Sequence, residues 1–201
     1  MTGSGSVVTG VAGASFSEVR VKLPDATQAN QDEVKAQTQI AFSYQMRAHT
    51  YEVATGKIVD VSGVLGIFRN GSEPSISGLG NKIVSAEWDT GTGRTQLFVS
   101  NIDGRDRKRL TASNTYSAYE PSFSPDGTRV VYTRFLYGQN KRLFIVPAAG
   151  GTPTALTDGT NSDALAEWSN DGSKILFIRT DGSGGTSVCQ INPDQTGFKT
   201  I

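Results

Sequence analysis

The chain has few of the residues from which most catalytic and metal centres are built: one histidine, His49, and one cysteine, Cys189, in 201 residues. A lone cysteine excludes an internal disulfide and any cysteine-based metal cluster. A lone histidine excludes a metal site resting on two imidazoles. His49 would need a nucleophile and an orienting acid around it to act as a base, and it reads instead as a structural or surface residue. No Gly-x-Ser-x-Gly stretch occurs, so the serine elbow of α/β-hydrolases is missing. "GSGSVV" has Val8 where a dinucleotide fingerprint needs its last glycine, and no Walker lysine follows a glycine cluster. No apolar run approaches the ~20 residues of a membrane helix. Nineteen basic and nineteen acidic residues cancel, so no global field draws nucleic acid or an anionic membrane. No basic residue precedes Arg20, and Thr9, Gly10 and Gly13 interrupt the mild apolar start. The N-terminus does not read as a secretory signal: either a signal was removed, or the protein is cytoplasmic, or these residues were added for expression.

What is present is glycine, 23 residues of it, with 36% hydrophobic residues, the composition of a turn-rich globular chain. "EPSFSPDGTRVVYTR" (120–134) is a short strand, a turn and an apolar strand. "EPSISGLGNKIVSAEW" starts 47 residues earlier, at Glu73, with Pro74 and Gly80 in register with Pro121 and Gly127. "AEWSNDGSKILFIRT" follows with Trp168, Asp171, Gly172 and Ile175 at a step of 45 from Phe123, Asp126, Gly127 and Val130. The second half repeats too: "QLFVSNIDGRDRKRLT" (96–111) matches "RLFIVPAAGGTPTALT" (142–157), and "SVCQINPDQTGFKTI" (187–201) is a looser copy. Two half-units at one period define a repeat protein.

Each unit reads as four strands. In the central one, "PSFS" leads into Pro125-Asp126-Gly127, where proline presets φ and glycine accepts φ > 0. "RVVYTRF" is β-branched and aromatic, "YGQN" turns the chain, "RLFIV" is a third strand, and "TPTALT" is a short outer one. Four strands in about 47 residues has the dimension of a propeller blade, which cannot bury both faces alone. A weaker unit precedes these, with "QIAFSY" (39–44) and "HTYEVATGKIVDVS" (49–62) as strands; its first strand is unrecognisable. The expected architecture is therefore an all-β propeller of about four blades, three clear and one degraded. Its units are 36–72, 73–119, 120–164 and 165–201, after an N-terminal segment 1–35. Val130, Val131, Phe144, Ile175, Leu176 and Phe177 are the expected core. "FSEVRVKL" (16–23) alternates in strand fashion and is a candidate to close a small ring by joining the last blade; the alternative is an arc completed by another subunit.

"PSFSPDGTRVVYTR" with "LFIV…LT" resembles the WD-repeat-like β-propeller repeat of the TolB family, also found in prolyl-oligopeptidase-type peptidases. The likeness covers roughly 71–201 and is densest over 120–157. It implies a propeller. In this family the linkers between an outermost and the next innermost strand, and the loops between second and third strands, lie together at the channel mouth. By that register the candidate partner-binding residues are Trp88, Tyr116, Tyr119, Glu120, Arg134, Tyr137, Asp163, Glu167, Arg179 and Asp181. Tyrosine, tryptophan and arginine are the types most enriched in interface hot spots, while the plainer reading has Tyr116 and Tyr119 packing beneath their loop.

Other motifs favour structural roles. The Asp-Gly pairs at 103, 126, 171 and 181 each bring one acid followed by Thr, Ser or Arg, which suits turns better than a calcium cage of six to eight oxygens. "GRDRKR" (104–109) lacks interleaved aromatics and reads as a charged blade edge that discourages strand addition. Cys189 aligns inside an apolar strand and reads as a buried small hydrophobe. The expectation is a non-catalytic propeller with no cofactor or metal that binds another protein subunit, or itself, and not nucleic acid, in an envelope or extracellular assembly. Its expected place is periplasmic or extracellular, with cytoplasmic the alternative. Two other functions stay open: a propeller detached from a larger hydrolase or lyase, and a carbohydrate-binding module.

Overall fold

A computed structural model describes residues 19–21, 39–44, 47–52, 56–60 and 74–201. They form four antiparallel sheets of four strands, each strand paired with its neighbours in chain order. The first sheet contains β1 (Val19–Val21), β2 (Gln39–Tyr44), β3 (Arg47–Glu52) and β4 (Lys57–Asp60). The second has β5 (Ser75–Ile76), β6 (Lys82–Asp89), β7 (Arg94–Asn101) and β8 (Lys108–Arg109). The third has β9 (Ser117–Phe123), β10 (Arg129–Phe135), β11 (Arg142–Pro147) and β12 (Thr154–Ala155). The fourth has β13 (Ser162–Trp168), β14 (Ile175–Thr180), β15 (Thr186–Ile191) and β16 (Lys199–Thr200). These are the blades of a propeller.

Two expectations change. The described part of the candidate closing strand, Val19–Val21, pairs with β2 of the first blade, Val19 opposite Phe42 and Val21 opposite Ile40. It supplies the first strand that the degraded unit lacked, from beyond the expected boundary at residue 36. The innermost strands β9 and β13 also straddle the expected unit boundaries at 119/120 and 164/165. In each the ladder slips by a bulge, between Val131 and Thr133 and between Ala164 and Glu167. The bulged residues Glu120 and Leu165 have φ +53° and +56°, a left-handed conformation that non-glycine residues adopt only where neighbours impose it.

The turns form as their residues dictate. Gly127 has φ +68° and Gly172 φ +71°. In the preceding Ser-Pro-Asp, the Ser124 hydroxyl donates to Asp126 Oδ1, which also accepts the Thr128 amide at 3.0 Å. Ser169, Asp171 and Ser173 repeat this pattern. The Leu-Thr pairs are equally local. Thr111 Oγ1 accepts the Leu97 amide and Thr157 Oγ1 the Leu143 amide, which pins each outer edge while Leu110 and Leu156 enter the core.

Both faces of the third blade are buried. Tyr132, Val130 and Phe144 pack against Val84, Ala86, Leu97 and Leu110 of the second blade. Val131, Leu143 and Leu156 pack against Ala166, Ile175, Phe177, Cys189 and Ile191 of the fourth. Five of the six expected core residues are buried; Leu176 is 39% exposed. It lies on the outer face of the last blade, where no further sheet of the described residues covers it. Cys189 is buried and free, as its strand register implied.

Candidate functional site

The second, third and fourth blades share one rim, formed by the interblade linkers 110–116 and 156–161 and the hairpin loops 90–93, 136–141 and 181–185. At the junction of the second and third blades this rim is tightly built. Gln96 Nε2 donates to the carbonyls of Ser113 and Tyr116, both at 3.0 Å. Ser113 Oγ accepts the amides of Thr115 and Tyr116, and Arg94 Nε donates to the Asn114 carbonyl at 3.3 Å. These bonds fix the ring of Tyr116 over the Arg134 guanidinium at 3.9 Å, and the same guanidinium lies 3.6 Å from the Phe144 ring centre.

Two buried polar atoms at this place have no hydrogen-bond partner among the described residues, Arg134 Nε and Tyr132 Oη. Burial pushes the Tyr132 phenol well above its ordinary range, against the pull of the neighbouring Arg134 guanidinium, so the hydroxyl stays protonated. Arg134 has no carboxylate within salt-bridge distance among the described residues. The fourth blade differs. Arg179, which aligns with Arg134, donates from Nε and Nη2 to the buried carboxylate of Asp163 at 2.7 and 2.9 Å. Asp163 sits directly opposite Arg179 in its ladder, and the residue opposite Arg134 is Ala118.

The rim brings several of the candidate residues together in pairs. Tyr116 meets Arg134, and Asp163 meets Arg179. Glu120 Oε2 accepts the Thr133 hydroxyl at 2.6 Å and the amide of Leu165 at 2.9 Å, so it ties its own bulge to that of the next blade. Glu167 accepts the Ser122 hydroxyl across the same blade junction. Trp88 and Tyr119 are half-buried on their strands, and Tyr137 stands 90% exposed at a hairpin tip. Asp181 folds its own turn: its carboxyl is held low first by the Ser183 hydroxyl and then by the Gly185 amide. Gln96, Arg94 and Tyr132 belong to the rim junction but are not among the residues picked from the sequence. Aligning Ala118 with Asp163 at the 45-residue step would have pointed there. The arginines of the "GRDRKR" run at 107 and 109 are engaged within their blade, Arg107 with buried Glu87 at 2.6 Å and over Phe98, Arg109 with Asp89 at 2.7 Å. Lys108 Nζ donates to the Ala149 carbonyl of the third blade at 2.9 Å.

The profile of the family described as TolB beta propeller domain matches residues 35–201. A Tol-Pal system protein TolB of Francisella tularensis subsp. tularensis (strain WY96-3418) is 27% identical over a 194-residue alignment, covering 74% of this chain and 44% of the relative. The chain thus spans less than half the length of the curated relatives it matches. Among solved structures, a putative TolB from Agrobacterium tumefaciens superposes with TM-score 0.67 at 18% identity, over 81% of this chain and 60% of that one. An oligogalacturonate lyase from Vibrio parahaemolyticus superposes with TM-score 0.63 at 11% identity, over 81% and 50%. At these identities the solved structures show the fold alone.

Proposed function

Because the chain belongs to the TolB beta propeller domain family, we propose that it is a non-catalytic propeller unit that binds another protein within an envelope assembly, on the periplasmic or extracellular side. The observation that carries this reading is the rim at the second and third blades. It holds a stacked arginine with no acid partner among the described residues beside a tyrosine ring fixed by its own loop, and the exposed Tyr137 stands on a hairpin of the same rim. Aromatics and arginines dominate interface energies, and an arginine already held by stacking has less entropy left to lose on docking. The curated relatives' own name, Tol-Pal system protein, supports an envelope assembly.

Affinity capture from the native envelope fraction tests this, using the chain and a Tyr116→Ala/Tyr137→Ala variant as baits. We expect one protein retained in stoichiometric amount by the wild type and depleted by the variant. Equal recovery by both baits, or none by either, would overturn the assignment. A second reading is a propeller unit of a larger hydrolase or lyase; hydrolase or lyase activity of the full-length gene product would establish it.

A further inference from the structure

We propose that Arg134 anchors a carboxylate-binding subsite at the rim between the second and third blades, which takes an aspartate or glutamate side chain of the protein partner. This rests on the protein-binding reading and gives the partner's contact a chemistry.

The fourth blade supplies the precedent within the same molecule. There the strand position opposite the arginine is Asp163, and the guanidinium is saturated by a two-pronged bond. In the third blade the same position is Ala118, so an equivalent arginine stands without its acid. Arg134 is nonetheless held in place, with Tyr116 and Phe144 on its faces. Stacking holds the guanidinium plane fixed, and with Nε buried it is the terminal Nη groups that can meet a carboxylate in a paired geometry. The acids of this rim have other partners: Asp163 binds Arg179, Glu120 binds Thr133, Leu165 and Lys141, Asp89 binds Arg109, and Asp158 and Asp181 accept Thr160 and Ser183 of their own turns. Arg94 and Arg142 donate only to backbone carbonyls, of Asn114 and Thr157. A guanidinium held in this way without an acid opposite it complements an acidic side chain of a partner.

The test is an NMR titration that follows the Arg134 Nε–H signal in the 201-residue chain. The probes are the acidic peptide acetyl-Glu-Asp-Glu-amide, its neutral counterpart acetyl-Gln-Asn-Gln-amide, and inorganic phosphate. We expect a saturable shift with the acidic peptide, at least tenfold weaker binding of phosphate, and no shift with the neutral peptide. Ala118→Asp rebuilds the pair of the fourth blade internally and should abolish the shift with the amide fingerprint otherwise intact. Should that variant fail to fold, Arg134→Gln must lose the acidic-peptide response seen at the remaining rim amides. Phosphate binding as tightly as the peptide would overturn the carboxylate assignment, as would a response that survives either variant. Silence of Arg134 toward every probe would overturn the subsite while leaving envelope capture, the test of the protein-binding reading, to stand or fall separately.

Discussion

Arg134 and Arg179 occupy one register position in adjacent blades, and the residue across the ladder decides what each can do. Asp163 is fully buried and pairs with Arg179. Removing one partner of a buried pair leaves the other desolvated and alone, at about 3–5 kcal/mol. Arg179→Met should therefore cost about that much in urea titration. Asp163→Ala should cost less, because it recreates the Arg134–Ala118 arrangement that the third blade already tolerates. Equal losses would show that the pair does not govern this position. Phe144 is a second residue with a defined load: it is buried, 5.9 Å from the Tyr132 ring and under Arg134. Its replacement by alanine should cost about 3–5 kcal/mol, measured the same way. At this scale the sequence was only partly readable. Side-chain types at the rim were visible, but partners were not, because Asp163–Arg179 and Tyr116–Arg134 join residues 16 and 18 apart through a fold that must already exist. Glu120 and Leu165 carry no sign of their positive φ, since neither is a glycine and the bulge is imposed by hydrogen bonds from outside the strand.

The elements were more legible, because turn chemistry is local and recurs. Ser-Pro-Asp-Gly at 124–127 and Ser-Asn-Asp-Gly at 169–172 set the same bonds from neighbouring atoms, whatever surrounds them. Gly127 shows the steric side: its φ is +68° and an added Cβ would meet Ser77 Cβ at 3.3 Å. Gly127→Val should lower stability by about 1–2 kcal/mol and Tm by roughly 2–8 °C for a chain of this size; an unchanged Tm would refute the turn. Asp126 and Asp171 show the electrostatic side. Each is held at a pKa of about 2, first by the Ser124 or Ser169 hydroxyl and then by the amide of residue 128 or 173. In the unfolded chain both return to about 3.9. The unfolded state therefore binds more protons between these values, so their stabilisation is complete above about pH 4 and is lost as pH falls through 2. Both carboxyls are exposed and screened by water, which keeps the effect small. Asp126→Asn/Asp171→Asn should flatten the fall of Tm between about pH 4 and 2 without altering its shape near neutrality. What eluded the sequence was the partner of β1, since residues 22–38 separate it from β2, whereas the other blades join their first two strands by a turn of a few residues.

The same repeat that makes the interior of the molecule predictable makes its last face conspicuous. Val131, Leu143 and Leu156 of the third blade are 0%, 0% and 4% exposed because the fourth blade covers them. Their counterparts one step on are Leu176, Val188 and Ile201, and the match extends to the backbone: Ile201 N donates to the Val188 carbonyl as Leu156 N does to that of Leu143. These three are 39%, 44% and 67% exposed, and no strand of the first blade makes extended contact with the fourth among the described residues. The chemistry that fits this face is the one already seated on its copy, the Ala166, Ile175, Phe177, Cys189 and Ile191 side of a blade, and contiguous apolar surface of this kind drives association. In a solution of the purified chain the only source of another blade is a second copy. Sedimentation equilibrium should therefore show concentration-dependent self-association that strengthens, or holds, as salt is raised, since burial of apolar surface is not screened as ion pairs are. Leu176→Lys/Val188→Lys places two charges where the next blade would press and should leave a folded monomer with an unchanged strand spectrum. A wild-type chain that stays monomeric at every concentration, or a double variant that associates as strongly, would show that the face is stable in water without a covering blade.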